Sequence, residues 1–400
     1  MAIDFQQIYE LIKNIGVSAP ARQAALKERH ELARHLLENN AGQLEALRNK
    51  VETAKEVDPA IRCALPLTER LDFHTPPPEL PQSVTVIAAD GSQIFPDRHN
   101  AVQYGLINVG AIIMRLNSGE APIIRTKSEI LFDDQLYTPT GGHITDGMLA
   151  LKRDMDERSK LYELAKEFGL DGVPVVTLTD GPIELWGAAD GEEASQYEES
   201  LTNYLVVLSK TQELGTIAAG YIDKPSSDPV VRLLELVMAT GEDLKKLREY
   251  HPLRAVSDRW LFGEMHSSLL KPGERSAVFG FQSKSEKIYK GVLGLHFFYL
   301  NISADEKHPI IARVDIPRWV VDEPQKLSLL HAVLIQQCQI MGAKPFPYLL
   351  HRAHECAVVS FPEKNQIDQM LSLELRRTGI EMGELSGKQS AKDSSGRSSY

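Results

Sequence analysis

The stretch Val86-Ile87-Ala88-Ala89-Asp90-Gly91-Ser92-Gln93, preceded by Ser83-Val84-Thr85, runs from apolar and β-branched residues straight into an acid, a glycine and a serine. Residues 83–89 read as a strand of buried character. A buried strand that delivers a carboxylate at its end asks for a reason. A turn is one, because Asp-Gly is a common turn dipeptide whose residues tolerate positive φ. A site built on the strand end is the other, and the surrounding sequence has to decide between them.

Working outward, 104–116 and 122–132 read as two further strands with short connections, which predicts an antiparallel meander. A helix follows over about 146–168, then a short buried-type strand within 172–182, a helix over 194–214 and a strand over 215–223. Three strands followed by alternating helices and strands is the order of a mixed α/β sheet. Residues 228–271 read as a helical insertion. Strands resume at 276–281, 295–302 and 310–317, and helices over 325–341 and from about Pro347 close the domain.

Upstream, residues 1–58 read as an N-terminal helical arm or hairpin, rich in strong helix formers and broken near Asn39-Asn40-Ala41-Gly42. A packing pair and a partner-binding arm both fit it. Thr75-Pro76-Pro77-Pro78-Glu79-Leu80-Pro81 is a stiff linker. The expected organisation is therefore arm and linker over 1–81, a main domain over 82–382, and a Ser/Gly/Lys-rich tail over 383–400 that is too poor in apolar residues to fold.

Composition narrows the function classes. A chain of 400 residues with 42% hydrophobic and 25% charged residues is an ordinary globular one. It has no apolar run long enough to span a membrane, and its N-terminus lacks the basic start and apolar core of a secretion signal. Cys63, Cys338 and Cys356 are widely spaced and fit reduced thiols, so a cytoplasmic location is expected. The net charge of −11 argues against a protein that coats nucleic acid by general electrostatics. It suits a site built from carboxylates.

Asp90 has a counterpart. Val175-Val176-Thr177-Leu178-Thr179-Asp180-Gly181 repeats its design, an apolar strand ending in Asp-Gly. Ligands of α/β sheets gather outside the carboxyl ends of strands. Two carboxylates there resist ionising together unless a cation joins them. With Mg²⁺ or Mn²⁺ they make an oxygen-rich site suited to phosphodiester cleavage. A third acid could come from the helix over 146–168. At 100° per residue, Asp154 falls within its apolar stripe, Glu157 at the edge and Glu163 on the solvated side.

The C-terminal helix carries His351 and His354 on one face. The pattern is not HExxH, so zinc peptidase chemistry is not implied, but a histidine here could be a ligand or a proton shuttle. Arg313 and Arg318 flank the strand-end Asp315 and could hold a phosphate or form a salt bridge. Lys224, after another strand, could face a phosphate or water. No GxxxxGK[ST], GxGxxG or GxSxG motif occurs, so the chain has no nucleotide-driven motor of its own.

The order of Asp90-Gly91-Ser92, Arg153-x-x-x-Glu157, Asp180-Gly181-Pro182, Arg313-Val314-Asp315-Ile316-Pro317 and Pro347-x-Leu349-x-x-x-Ala353-His354 resembles the NurA nuclease family over about 83–375. The resemblance implies an RNase H-like core and a manganese- or magnesium-dependent nuclease. Such enzymes cut single-stranded DNA and degrade DNA from 5′ ends. It implies a homodimer that docks on HerA, a hexameric DNA-translocating ATPase, during end resection. By position, Asp90, Glu157 and Asp180 match the metal-binding acids and His354 the late histidine. One position departs: the family tyrosine eight residues before that histidine is Phe346 here, so the phenol is missing or displaced to Tyr348. A catalytically weak module that binds the ATPase and DNA is the alternative. A phosphoesterase for small nucleotides would need the same carboxylates.

Overall fold

A computed structural model describes residues 3–97, 102–138, 140–187, 191–265 and 268–379. The tail over 383–400 lies outside the described residues. The chain forms two compact units, Met1–Leu80 with Gly220–Phe346, and Pro81–Ala219 with Pro347–Tyr400. The first boundary falls in the proline-rich linker. Residues 220–346 thus cluster with the N-terminal helices, and residues 347–400 with 81–219.

In chain order the elements are α1 (Phe5–Asn40), α2 (Leu44–Val57), β1 (Cys63–Pro66) and β2 (His74–Thr75), all in the first unit. The second unit begins with β3 (Val84–Ile94), β4 (Gly105–Leu116), β5 (Ile123–Leu131), α3 (Asp146–Phe168), β6 (Val175–Asp180) and α4 (Glu192–Glu213). β7 (Ile217–Ile222) carries the chain back. The first unit then adds α5 (Pro229–Met238), α6 (Glu242–Lys245), α7 (Asp258–Phe262), β8 (Arg275–Ser276), β9 (Phe279–Gln282), β10 (Leu295–Asn301), β11 (Ile311–Pro317), α8 (Arg318–Val321) and α9 (Pro324–Ile340). α10 (Tyr348–Ala357) and α11 (Phe361–Arg377) complete the second. Sequence periodicity misses β1, β2 and α11, which are very short or lack a buried stripe.

In the first unit, strands in the order β1-β9-β10-β11-β7 pair antiparallel. Phe262, Phe279, Phe297 and Tyr299 form its aromatic core, and Ala33 and Leu37 of α1 with Leu47, Val51 and Ala54 of α2 are buried in the same cluster. The N-terminal helices are thus core from Ala33 onward, while 3–24 stay exposed. Among the described residues, the expected helical insertion over 228–271 is helical in three short pieces, with turns between them. Gly241 at φ +44° and Pro252 interrupt it.

In the second unit the order is β5-β4-β3-β6-β7. β3, β4 and β5 form the antiparallel meander, and β6 lies parallel to β3 after the α3 crossover. The sheet is therefore mixed, as the element order predicts, and the fold is α/β. Ile87, Ala89, Ile107, Val109 and Ala111 of the sheet pack against Leu149, Leu161 and Leu164 of α3. Among the described residues no helix is long and apolar enough to cross a membrane.

β3 corrects one expectation. It does not end at Asp90 but continues to Ile94, with Asp90 opposite Gly110 and Ile94 opposite Leu106 of β4. What ends at Ala89 is the parallel ladder with β6, whose last pair is Ala89 and Thr179. One register step beyond that pair stand Asp90 and Asp180.

Candidate active site

The site is assembled around the place where β6 leaves β3. Gly181 takes φ +101°, a conformation that favours glycine, and turns the chain away after Asp180. Gly91 serves differently. A Cβ there would stand 2.6 Å from both Cγ of Arg153 and Oε1 of Glu157, so the missing side chain lets α3 lie directly on β3. The Thr145 side chain caps α3 by accepting from the Met148 N–H.

The residues after Asp90 hold the second helix of the site. The Ser92 hydroxyl donates to the Ala357 carbonyl at 2.5 Å and Asn108 Nδ2 donates to the same oxygen at 2.8 Å. That carbonyl is one of the unpaired acceptors at a helix C-terminus. A Cβ on Gly110 would stand 2.7 Å from Ala357 N, so this helix end also lies against bare backbone. α10 in turn presents His354, whose Nδ1 lies 2.7 Å from Asp90 Oδ2. An ionised carboxylate only accepts, so the Nδ1–H of His354 donates to Asp90.

A cleft of about 390 Å³ brings Asp90, Arg153, Asp154, Glu157, Arg158, Asp180, Glu184, Trp186 and His354 together. All four residues expected to be catalytic, Asp90, Glu157, Asp180 and His354, line it. So does Asp154, the open alternative to Glu157, whereas Glu163 is exposed and bonds Lys160 at 3.1 Å. Among the described residues, five carboxylates thus share the cleft with two arginines and one histidine.

Burial pushes Glu157 up to about 8, with the charges of Asp154 and Asp90 adding to it and Arg158 and Arg153 opposing. Arg153 lies amid this crowd. Its Nε is 3.2 Å from Glu157 Oε1, Nη2 is 2.7 Å from Asp154 Oδ1, and Nη1 donates to Gln93 Oε1 at 2.9 Å. Burial works against its charge, but Asp154, Glu157 and Asp90 outweigh that and hold it above its ordinary value. Arg158 is buried, with its Nη groups on the carbonyls of Asp154 and Pro182 at 3.1 Å each. Its Nε has no hydrogen-bond partner among the described residues.

The weaker candidates stand elsewhere. Arg313 is not available to a phosphate: it is buried, its Nε is 2.8 Å from Asp315 Oδ1, and its guanidinium lies over Phe281 and Phe297. Residues two apart on a strand share a face, which pairs this arginine with the acid beside it. Arg318 bonds Asp322 at 3.3 Å and borders a separate cleft of the first unit. Lys224 is exposed in the first unit, and Tyr348 is half-buried at the start of α10. Phe346 packs its ring edge-on against Tyr221 at 5.4 Å.

Sequence reasoning missed Arg158, Glu184 and Trp186. The alternation Ile183-Glu184-Leu185-Trp186 directly after Asp180-Gly181-Pro182 was their available signal.

Oxygen donors of this kind fit a hard divalent cation. As placed, no three His, Cys, Asp or Glu side chains among the described residues stand together at metal-binding spacing.

The chain matches the sequence model of the NurA domain over residues 84–359. No curated protein matches it by sequence. Among solved structures it is similar to the NurA nuclease from Sulfolobus solfataricus, at 13% identity and TM-score 0.45, over 85% of this chain and 95% of that one. It is also similar to the catalytic domain of human endonuclease V, at 14% identity and TM-score 0.32, over 83% of this chain and 98% of that one.

Proposed function

The chain belongs to the NurA family, and on that premise we propose that it is a metal-dependent deoxyribonuclease whose centre is the Asp90–Asp180 cleft. The observation that carries this reading is the register: the parallel ladder stops at Ala89 and Thr179, leaving Asp90 and Asp180 as neighbouring exits. Glu157 is buried beside them and His354 bonds to Asp90.

Asp90, Asp180 and Glu157 would hold Mn²⁺ or Mg²⁺, with His354 as a further ligand or proton carrier. A bound ion would supply a Lewis acid for the phosphoryl oxygens and lower the pKa of a water. The protein's own groups do the rest. Arg153 keeps Glu157 and Asp154 from repelling one another fully. Asp90 orients the imidazole of His354, whose Nε2 can take a proton from water or return one to the leaving oxygen.

Single-stranded DNA and 5′ ends are the proposed substrates. The lack of a phosphate-binding loop supports a translocase supplied in trans, of the HerA type, with the chain acting as a homodimer in end resection. A second reading, a weakly active module that binds the ATPase and DNA, is supported by Phe346 in place of the family tyrosine.

Asp90→Ala should abolish Mn²⁺-dependent cleavage of single-stranded DNA while leaving the circular dichroism spectrum and melting temperature close to wild type. Unchanged cleavage by that variant would sink the assignment. Cleavage that appears only with the ATPase present would favour the second reading.

A further inference from the structure

Three side chains donate to one short run of backbone beside the cleft. Arg158 of α3 donates from Nη2 to the Pro182 carbonyl at 3.1 Å, Tyr204 of α4 donates from its hydroxyl to Ile183 at 2.7 Å, and Tyr197 donates to Leu185 at 3.1 Å. Arg158 and Tyr204 are buried, with the guanidinium over the phenol ring at 5.2 Å. A Cβ on Gly187 would stand 2.3 Å from Cδ2 of Tyr197, so the chain passes flat against that ring. The segment 182–187 is therefore held along its length. It presents Glu184, which is buried, and Trp186, which is 55% exposed, and both line the cleft.

We propose that Trp186 is a stacking platform for an unpaired base of a single-stranded nucleic acid, placing the adjoining backbone in the carboxylate cleft. The proposal rests on the nuclease reading above and names how that site takes its substrate. An indole on a fixed loop loses little conformational freedom when a ligand arrives. The chain's net charge is −11 and its cleft is rich in carboxylates, so phosphates gain little from general attraction. Stacking needs no positive charge, and every base offers a π-face, so it supplies affinity without sequence preference. A base inside a duplex has both faces covered by its neighbours. The platform therefore selects unpaired strands.

The test separates base stacking from backbone contact and from cleavage. Wild type, Trp186→Ala and Trp186→Tyr are titrated in EDTA with a short labelled oligothymidylate and with an abasic strand of equal length. Trp186→Ala should weaken oligothymidylate binding by about tenfold. Trp186→Tyr should restore it to within about threefold, because a phenol ring still stacks. Neither variant should change binding of the abasic strand. In Mn²⁺, the Ala variant should raise KM and keep kcat. Oligothymidylate should also quench tryptophan emission in wild type and not in Trp186→Tyr, since Trp319 is buried and Trp260 is stacked on His30.

Equal affinity of wild type and Trp186→Ala for oligothymidylate would overturn the proposal. So would an equal loss on the abasic strand, a loss of kcat at unchanged KM, or failure of wild type to bind oligothymidylate. Base-dependent binding through Trp186 in a protein that cuts nothing would remove the nuclease reading and leave the platform. Cleavage with no dependence on Trp186 would do the reverse.

Discussion

Gly91 shows how much one residue's absence of a side chain can organise. Its neighbours Arg153 and Glu157 occupy the space that a Cβ would take. Gly91→Ala forces the Arg153 and Glu157 side chains, or α3 itself, to shift, and overpacking of this kind costs about 1–3 kcal/mol. The variant should melt several degrees lower and lose most cleavage, because the carboxylates move apart; a thermal melt alongside a cleavage assay checks both. An unchanged melting temperature with full activity would show that the helix yields at no cost. The two Asp-Gly pairs were legible in the sequence but serve unlike ends. Gly181 turns the backbone at positive φ, whereas Gly91 is extended within β3 and is needed for closeness. Both look the same in a sequence, because a dipeptide carries its turn propensity but not its distance to a helix.

At the scale of elements, the meander, the α3 crossover and β6 followed from periodicity, since each buries one face or both against a partner. The tertiary role of α9 did not. His331 sits within it, 1% exposed, and donates from Nε2 to the Gly273 carbonyl at 2.7 Å. Burial pulls its pKa down from 6.5 to about 4. The folded protein therefore keeps this imidazole neutral where the unfolded chain binds a proton. Stability rises with pH between about 4 and 6.5 and is lost as pH falls through that window. The swing is at most about 3 kcal/mol. His331→Gln should flatten that part of the stability curve, measured by urea unfolding at several pH values. A slope as steep as wild type would place the titration elsewhere. Nothing in the pattern of 324–340 separates this histidine from a solvated one, because its partner lies 58 residues away.

For the whole molecule, the two units predict unequal tolerance to truncation. Residues 3–24 are exposed, but Ala33, Leu37, Leu47, Val51 and Ala54 belong to the aromatic core of the first unit. Removing residues 1–20 should leave the melting temperature within a few degrees of wild type. Removing 1–58 should prevent the first unit from folding, and Leu47→Ala alone should cost about 3 kcal/mol. Soluble, cooperatively melting protein lacking 1–58 would contradict that assignment. The sequence by itself determined the α/β class and the order of the meander and crossover, because these depend on local periodicity, and it singled out Asp90, Glu157, Asp180 and His354 as candidates through the order of motifs that resembles a nuclease family. Tertiary structure alone decided that β3 runs on past Asp90, that Arg313 turns inward to Asp315, that 220–346 folds with the N-terminal helices, and that Arg158, Tyr197 and Tyr204 fix the loop bearing Trp186. Each of those depends on contacts between distant segments, whose partners are chosen by packing and hydrogen bonding in three dimensions rather than by neighbours along the chain.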